Sequence, residues 1–166
     1  MTNKKVVSFE EKREEFQFNG NFTKISISDK GIPFIAYNAA NSQCTKEIKA
    51  KGDKEPKDSF YSALNALKPF FVDVAEMEHK LDDTKIIGVS FDDTGIVITG
   101  LIKLTKHDIS TPMCVNTVHV FYENKTGGFE VPKDVKKLLN VLKNEAIAYM
   151  NDDTKFKQQN MFKKSK

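Results

Sequence analysis

Two spacings of apolar residues alternate along the chain. Phe22, Ile25 and Ile27 sit among Thr23, Lys24, Ser26 and Ser28, a near-alternation that predicts a strand. Asp29-Lys30-Gly31 predicts a tight turn, because glycine tolerates the positive φ such turns use. Ile32 to Tyr37 then returns as the partner strand. Pro33 belongs at a strand start or an edge, since it has no amide to donate to a ladder. Residues 38 to 57 read as the longest loop, with room for a short strand around Thr45 to Lys51. Phe60, Leu64, Leu67, Phe71, Val74 and Met77 next recur at three- and four-residue spacing, which predicts a helix capped by Asp58 or Ser59. Pro69 lies inside that pattern and splits it near Lys68, leaving a second helical piece to His79.

Ile86 to Phe91 and Ile96 to Thr105 form the clearest strand pair, joined by Asp92-Asp93-Thr94-Gly95. Gly100 interrupts the β-branched run and signals a bulge or a close backbone approach. Met113 to Tyr122 predicts another strand, and Asn124 to Gly128 a turn. Pro132 fits the start of a last helix with the apolar stripe Val135, Leu138, Leu139, Leu142, Ala146 and Met150, its lysines and asparagines outside the stripe. The expected order is β-β-α-β-β-β-α. This is an α+β fold with a largely antiparallel sheet and two helices packed on one face. An N-terminal arm (1–20), a single domain (21–151) and a basic C-terminal tail (152–166) divide the chain. The arm carries the charge run Glu10 to Glu15 between Phe9, Phe16 and Phe18, aromatics expected to dock on the body.

Composition changes this picture little. At 166 residues, 39% hydrophobic and 30% charged, the chain fits one globular domain with a real core. No apolar run reaches the roughly 18–20 residues of a membrane helix, and the start of the chain lacks the apolar region of a secretion signal. Cys44 and Cys114 are isolated from each other and read as buried or half-buried thiols of a reducing compartment, the cytosol. The net charge of +3 is mildly basic, and the isoelectric point near 8.7 falls short of the value above about 9 that marks a whole-domain nucleic-acid footprint.

Catalytic and metal motifs do not emerge. There is no GxxxxGK[ST] or GxGxxG, and Gly127-Gly128 reads as a plain turn. His79, His107 and His119 are isolated; Asp92-Asp93 suits a hairpin turn, and Asp152-Asp153 at a helix C-terminus is a poor cation site. Cys114 and His119 fall on opposite faces of one strand, so they do not pair as nucleophile and base. No enzyme, cofactor or metal is expected. Two basic segments stand out instead: Lys46, Lys49, Lys51, Lys54 and Lys57 in the loop, and Lys155, Phe156, Lys157, Phe162, Lys163, Lys164 and Lys166 in the tail. Lysines neutralise phosphates with release of counterions, and interleaved aromatics stack on unpaired bases. A single arginine in the chain disfavours base-specific duplex readout.

Three stretches carry a resemblance: Phe60 to Leu67 (FYSALNAL), Gly88-Val89-Ser90-Phe91, and Ile96 to Leu104 (IVITGLIKL). With Val115-Asn116-Thr117-Val118, they resemble a small protein family of tailed phages and prophages. The family's Asn-Thr-Pro strand here has Val118 in place of the proline. The resemblance covers about Phe60 to Met150 and rests on structural, not catalytic, motifs. It implies a context beside phage early, replication or recombination genes. The resulting expectation is a non-enzymatic accessory protein of phage DNA metabolism that binds single-stranded nucleic acid or a replication or recombination protein. The alternatives are a module that inhibits a host defence or replication factor, and a virion or scaffold component.

Overall fold

A computed structural model describes residues 18–39, 45–48, 54–104, 111–123, 127–151 and 155–156. Its centre is an antiparallel hairpin pair. Strand β1 (Gly20–Ile27) pairs with β2 (Pro33–Ala39) on one side and with β5 (Thr84–Phe91) on the other. Strand β3 (Thr45–Ile48) extends the sheet beyond β2, and β6 (Gly95–Ile102) and β7 (Met113–Asn116) extend it beyond β5. Among the described residues the sheet order is β3-β2-β1-β5-β6-β7, antiparallel throughout, with β8 (Val120–Phe121) also on β6. The fold is therefore α+β with a mostly antiparallel sheet, as the spacing of apolar residues implied.

Each hairpin turn has a local cause. Gly31 has φ of +77°, a conformation that side chains disfavour, and its amide donates to the Ser28 carbonyl at 2.9 Å. Ser28 Oγ accepts from the Ile32 amide at 3.1 Å, which clamps the same turn. In the β5–β6 hairpin, Asp92 Oδ1 accepts from the amides of Thr94 and Gly95 at 2.7 and 2.9 Å, an Asx turn.

The strands depart from strict alternation at two bulges. Phe22 and Ile25 both face the core although three residues separate them, because the register of β1 shifts between Phe22 and Lys24. Ile86 and Val89 do likewise across a shift between Ile86 and Gly88 in β5. The expected single strand from Met113 to Tyr122 is in fact broken into β7 and β8. Thr117 fills the gap: its amide donates to the Ile98 carbonyl at 2.9 Å, and its Oγ1 accepts from the Ile98 amide at 3.0 Å. A side-chain oxygen thus replaces a ladder carbonyl, and the ladder to β6 continues across the break.

Helices cover one face. Pro69 splits the first helical pattern into α1 (Asp58–Asn65) and α2 (Lys68–Val74), with Pro69 in the first turn of α2, where its missing amide costs nothing. The second piece ends at Val74 rather than His79; Glu78–Lys80 is a short 3-10 turn. The N-cap of α1 is Lys57, not Asp58 or Ser59, and it makes no side-chain capping bond. Asp58 contributes its charge to the first turn instead, and Ser59 Oγ donates to Glu145 Oε2 at 2.7 Å, which joins α1 to the last helix. That helix, α3 (Lys133–Met150), begins one residue after Pro132 and buries Val135, Leu139, Leu142, Ala146, Tyr149 and Met150. Phe60 and Leu64 of α1, Leu67 between the helices and Phe71 of α2 complete the core over the sheet. No helix among the described residues is long and apolar enough to cross a membrane.

At Gly100 the sheet and helix layers come close together. A Cβ placed there would lie 2.7 to 3.2 Å from three atoms of the Phe71 ring, which is itself fully buried. Gly100→Ala should therefore destabilise the fold by about 1–3 kcal/mol through overpacking. Urea unfolding of Gly100→Ala in the native and Phe71→Leu backgrounds checks this: the penalty should shrink when the ring is replaced by the smaller side chain, and equal penalties would discount the contact.

Candidate functional site

The two basic segments meet through the backbone. Strand β4 (Lys54–Glu55) pairs antiparallel with β9 (Lys155–Phe156), with Lys54 opposite Phe156 and Glu55 opposite Lys155. This separate two-stranded unit ties the lysine-rich loop to the start of the C-terminal tail. Lys46 is exposed on the edge strand β3, opposite Tyr37, and Lys57 is exposed at the N-cap of α1. Lys49, Lys51, Lys157, Phe162, Lys163, Lys164 and Lys166 lie outside the described residues. Residues 45–57 carry five lysines against three carboxylates, and residues 152–166 five against two. Together these segments exceed the net charge of the whole chain, +3, so the remainder is net negative. Of the arm aromatics, Phe18 docks on the body. Its ring stacks on Phe22 at 4.5 Å and meets Tyr37 edge-on at 5.2 Å. Phe9 and Phe16 lie outside the described residues.

A second feature, which the spacing of residues did not reveal, is a groove between α3, the start of β1 and the β5–β6 hairpin. It comprises two adjoining cavities of about 420 and 430 Å³ that share Asn21, Phe22 and Lys143. One reaches Asn38, Phe91, Asp92, Asp93 and Tyr122; the other runs along α3 past Asn140, Asn144 and Ile147 to Phe18. The bulge in β1 is what turns Phe22 inward while Asn21 stays exposed at the groove. Lys143 corrects the reading of α3's lysines as a wholly solvated face. It is half-buried, and its ammonium lies 4.8 Å from the centroid of the Phe91 ring. Burial holds its pKa below the ordinary lysine value. Burial likewise pushes the Tyr122 phenol up, with the Asp92 charge adding to the effect.

Asp92 and His119 form a third cluster at the hairpin. His119 Nε2 donates to Asp92 Oδ2 at 2.8 Å, and Thr94 Oγ1 donates to Asp92 Oδ1 at 2.7 Å. The break between β7 and β8 is what places His119 here, with its ring edge-on to Phe121 at 4.6 Å. A histidine that a carboxylate orients for proton transfer needs its other nitrogen open to substrate. His119 Nδ1 is instead buried without a hydrogen-bond partner among the described residues. The cluster fits a clasp that pins the broken edge strand to the hairpin. Cys114 is exposed on β7 rather than buried or half-buried as expected, and His119 does not share its strand but lies in the break before β8. Among the described residues no group of three or more His, Cys, Asp or Glu side chains is arranged to hold a metal ion.

No known protein family, curated protein or solved structure matches this chain.

The Asp92 carboxyl is held below the usual carboxylate range, chiefly by the Thr94 hydroxyl, with the Thr94 amide, His119 and the Gly95 amide adding to it against a smaller opposing effect of burial. A carboxyl with a lowered folded-state pKa contributes stability that is complete above its unfolded pKa, about 3.9, and is lost as pH falls below it. Urea-unfolding midpoints measured down an acid series should therefore drop more steeply for the native chain than for Asp92→Asn. Parallel curves would remove the clasp from the fold's acid response.

Proposed function

We propose that this chain is a non-catalytic accessory protein of phage or prophage DNA metabolism that binds single-stranded nucleic acid in the host cytoplasm. The observation that supports this most is the β4–β9 pairing, which brings Lys54 and Lys155, one from each lysine-rich segment, onto adjacent strands, while the two segments carry a net positive charge on an otherwise net-negative chain. Clustered lysines attract a phosphate backbone by counterion release, a sequence-independent force suited to a protein with almost no arginine. The aromatic residues of the tail supply sequence-tolerant stacking. The resemblance of Phe60 to Met150 to small phage proteins supplies the genetic context, with a phage or host replication protein as the companion partner.

Fluorescence anisotropy of a labelled single-stranded oligodeoxynucleotide, titrated across salt concentrations, tests this reading. Binding should weaken linearly on a log–log plot, with a slope of about −0.7 for each phosphate neutralised. Replacing Lys54, Lys57 and Lys155 together by Gln should lower both affinity and slope. Absence of binding at low salt, where counterion release is most favourable, rejects the nucleic-acid reading and leaves a protein partner.

A further inference from the structure

We propose that the groove over Lys143 takes one unpaired nucleobase, its edge hydrogen-bonded to Lys143 and the flanking amides and its face against the aromatic wall. This rests on the nucleic-acid reading above and assigns the part of the surface that contacts a base rather than the backbone. The starting point is the Lys143 ammonium. It is half-buried beside a cavity, sits over the Phe91 ring, and has no carboxylate or hydrogen-bond partner among the described residues. A desolvated donor of this kind favours a ligand that brings an acceptor.

Charge then selects the ligand. Asp92 and Asp93 line the same cavity, so its carboxylates outnumber its single ammonium. A phosphate or carboxylate ligand would meet net repulsion there. A nucleobase is neutral, and its edge alternates acceptors for a lysine with donors for an aspartate or an asparagine oxygen. Asn21 and Asn38 flank the hairpin end of the groove, and Asn140 and Asn144 flank its α3 end. Each amide offers both donors and an acceptor, the combination used to read base edges. Phe22 and Phe91, both buried, form its apolar floor and the part-exposed Tyr122 ring its aromatic wall, and each cavity falls within the roughly 300–1,000 Å³ of small-ligand sites. The groove also has a route to the backbone surface. It runs along α3, whose end at Met150 leads within a few residues to β9.

The test compares two strands of equal length and charge at one low salt concentration, one with bases and one abasic, binding to the full chain. The base-bearing strand should bind about tenfold tighter or more, the lower end of what one stacked base contributes. Lys143→Met, and separately Asn140→Ala with Asn144→Ala, should reduce the base-bearing strand to the affinity of the abasic one and leave the abasic strand unchanged. The two asparagines are exposed on a helix, so their replacement by alanine spares the core. Nucleoside monophosphates, followed by the side-chain amide signals of Asn140 and Asn144, tell a free nucleotide from a strand as the source of the base. Equal binding of both strands, weakened by the lysine replacements but not by the groove variants, overturns the groove and keeps the nucleic-acid reading. No binding of either strand, with no nucleoside shifts, overturns both.

Discussion

One line of side chains runs across four strands: Ile35 on β2, Ile25 on β1, Val89 on β5 and Ile98 on β6, directly opposite one another in the antiparallel ladders and all 1% exposed or less. Burying a side chain of this size contributes roughly 1.5–3 kcal/mol. The line therefore fixes the register of the sheet, because a slip of one residue in any strand would turn its member to the outer face. The two bulges follow from the same demand. Phe22 lies three residues before Ile25 and Ile86 three before Val89, so alternation alone would send one of each pair outward. An extra residue in each strand lets both members reach the core. The groove inherits its position from the first of these bulges, since Phe22 turns inward beside Asn21 at the mouth.

Layer packing carries that constraint to the surface features. With the helices on the face that holds the isoleucine line, α3 is drawn over the start of β1, and its Lys143 is caught between apolar contacts and the groove. The outer ends of the sheet are left to polar interactions. Thr117 supplies a side-chain acceptor where β7 gives way to β8, and Asp92 gathers the Thr94, Gly95 and His119 donors at the adjacent turn. These are local substitutes for ladder hydrogen bonds. They keep an interrupted edge strand in place without extending the core.

The elements governed by local rules were legible in the sequence. Pro69 divided the first helix as a proline should, Gly31 and Asp92 made the turns their chemistry favours, and Gly100 marked a close approach, here that of the Phe71 ring. The short strand β3 also fell within the segment expected to have room for one. Non-local features were not legible. The β4–β9 pairing rests on two residues from each partner a hundred positions apart, too short to leave a periodic signal. Thr117 looked like any strand residue, and its role as a ladder substitute depends on where Ile98 lies. Lys143 left a faint trace: it occupies the helical column Leu139, Lys143, Ile147, four residues from an apolar neighbour on each side. That spacing distinguishes it from the lysines of the solvated face, and a count of apolar positions alone passes over it.

The division of charge gives these two surfaces different physical tasks. On the proposed reading, lysines in the loop and tail would act at a distance on a strand's phosphates, an attraction that salt largely screens beyond about 10 Å. The groove is the opposite environment: half-buried, lined by amides and aromatic rings, with carboxylates outnumbering its one ammonium. Its contacts are short-range and little affected by salt. A surface of the first kind alone would bind any polyanion, whereas a pocket of the second kind alone would hold a single base weakly. In the proposal, the first would recruit the strand and the second would distinguish it from a bare polyanion. The carboxylates of Asp92 and Asp93 would then have a proposed role beyond the turn, as the repulsive element that keeps phosphates on the lysines and leaves the groove to bases.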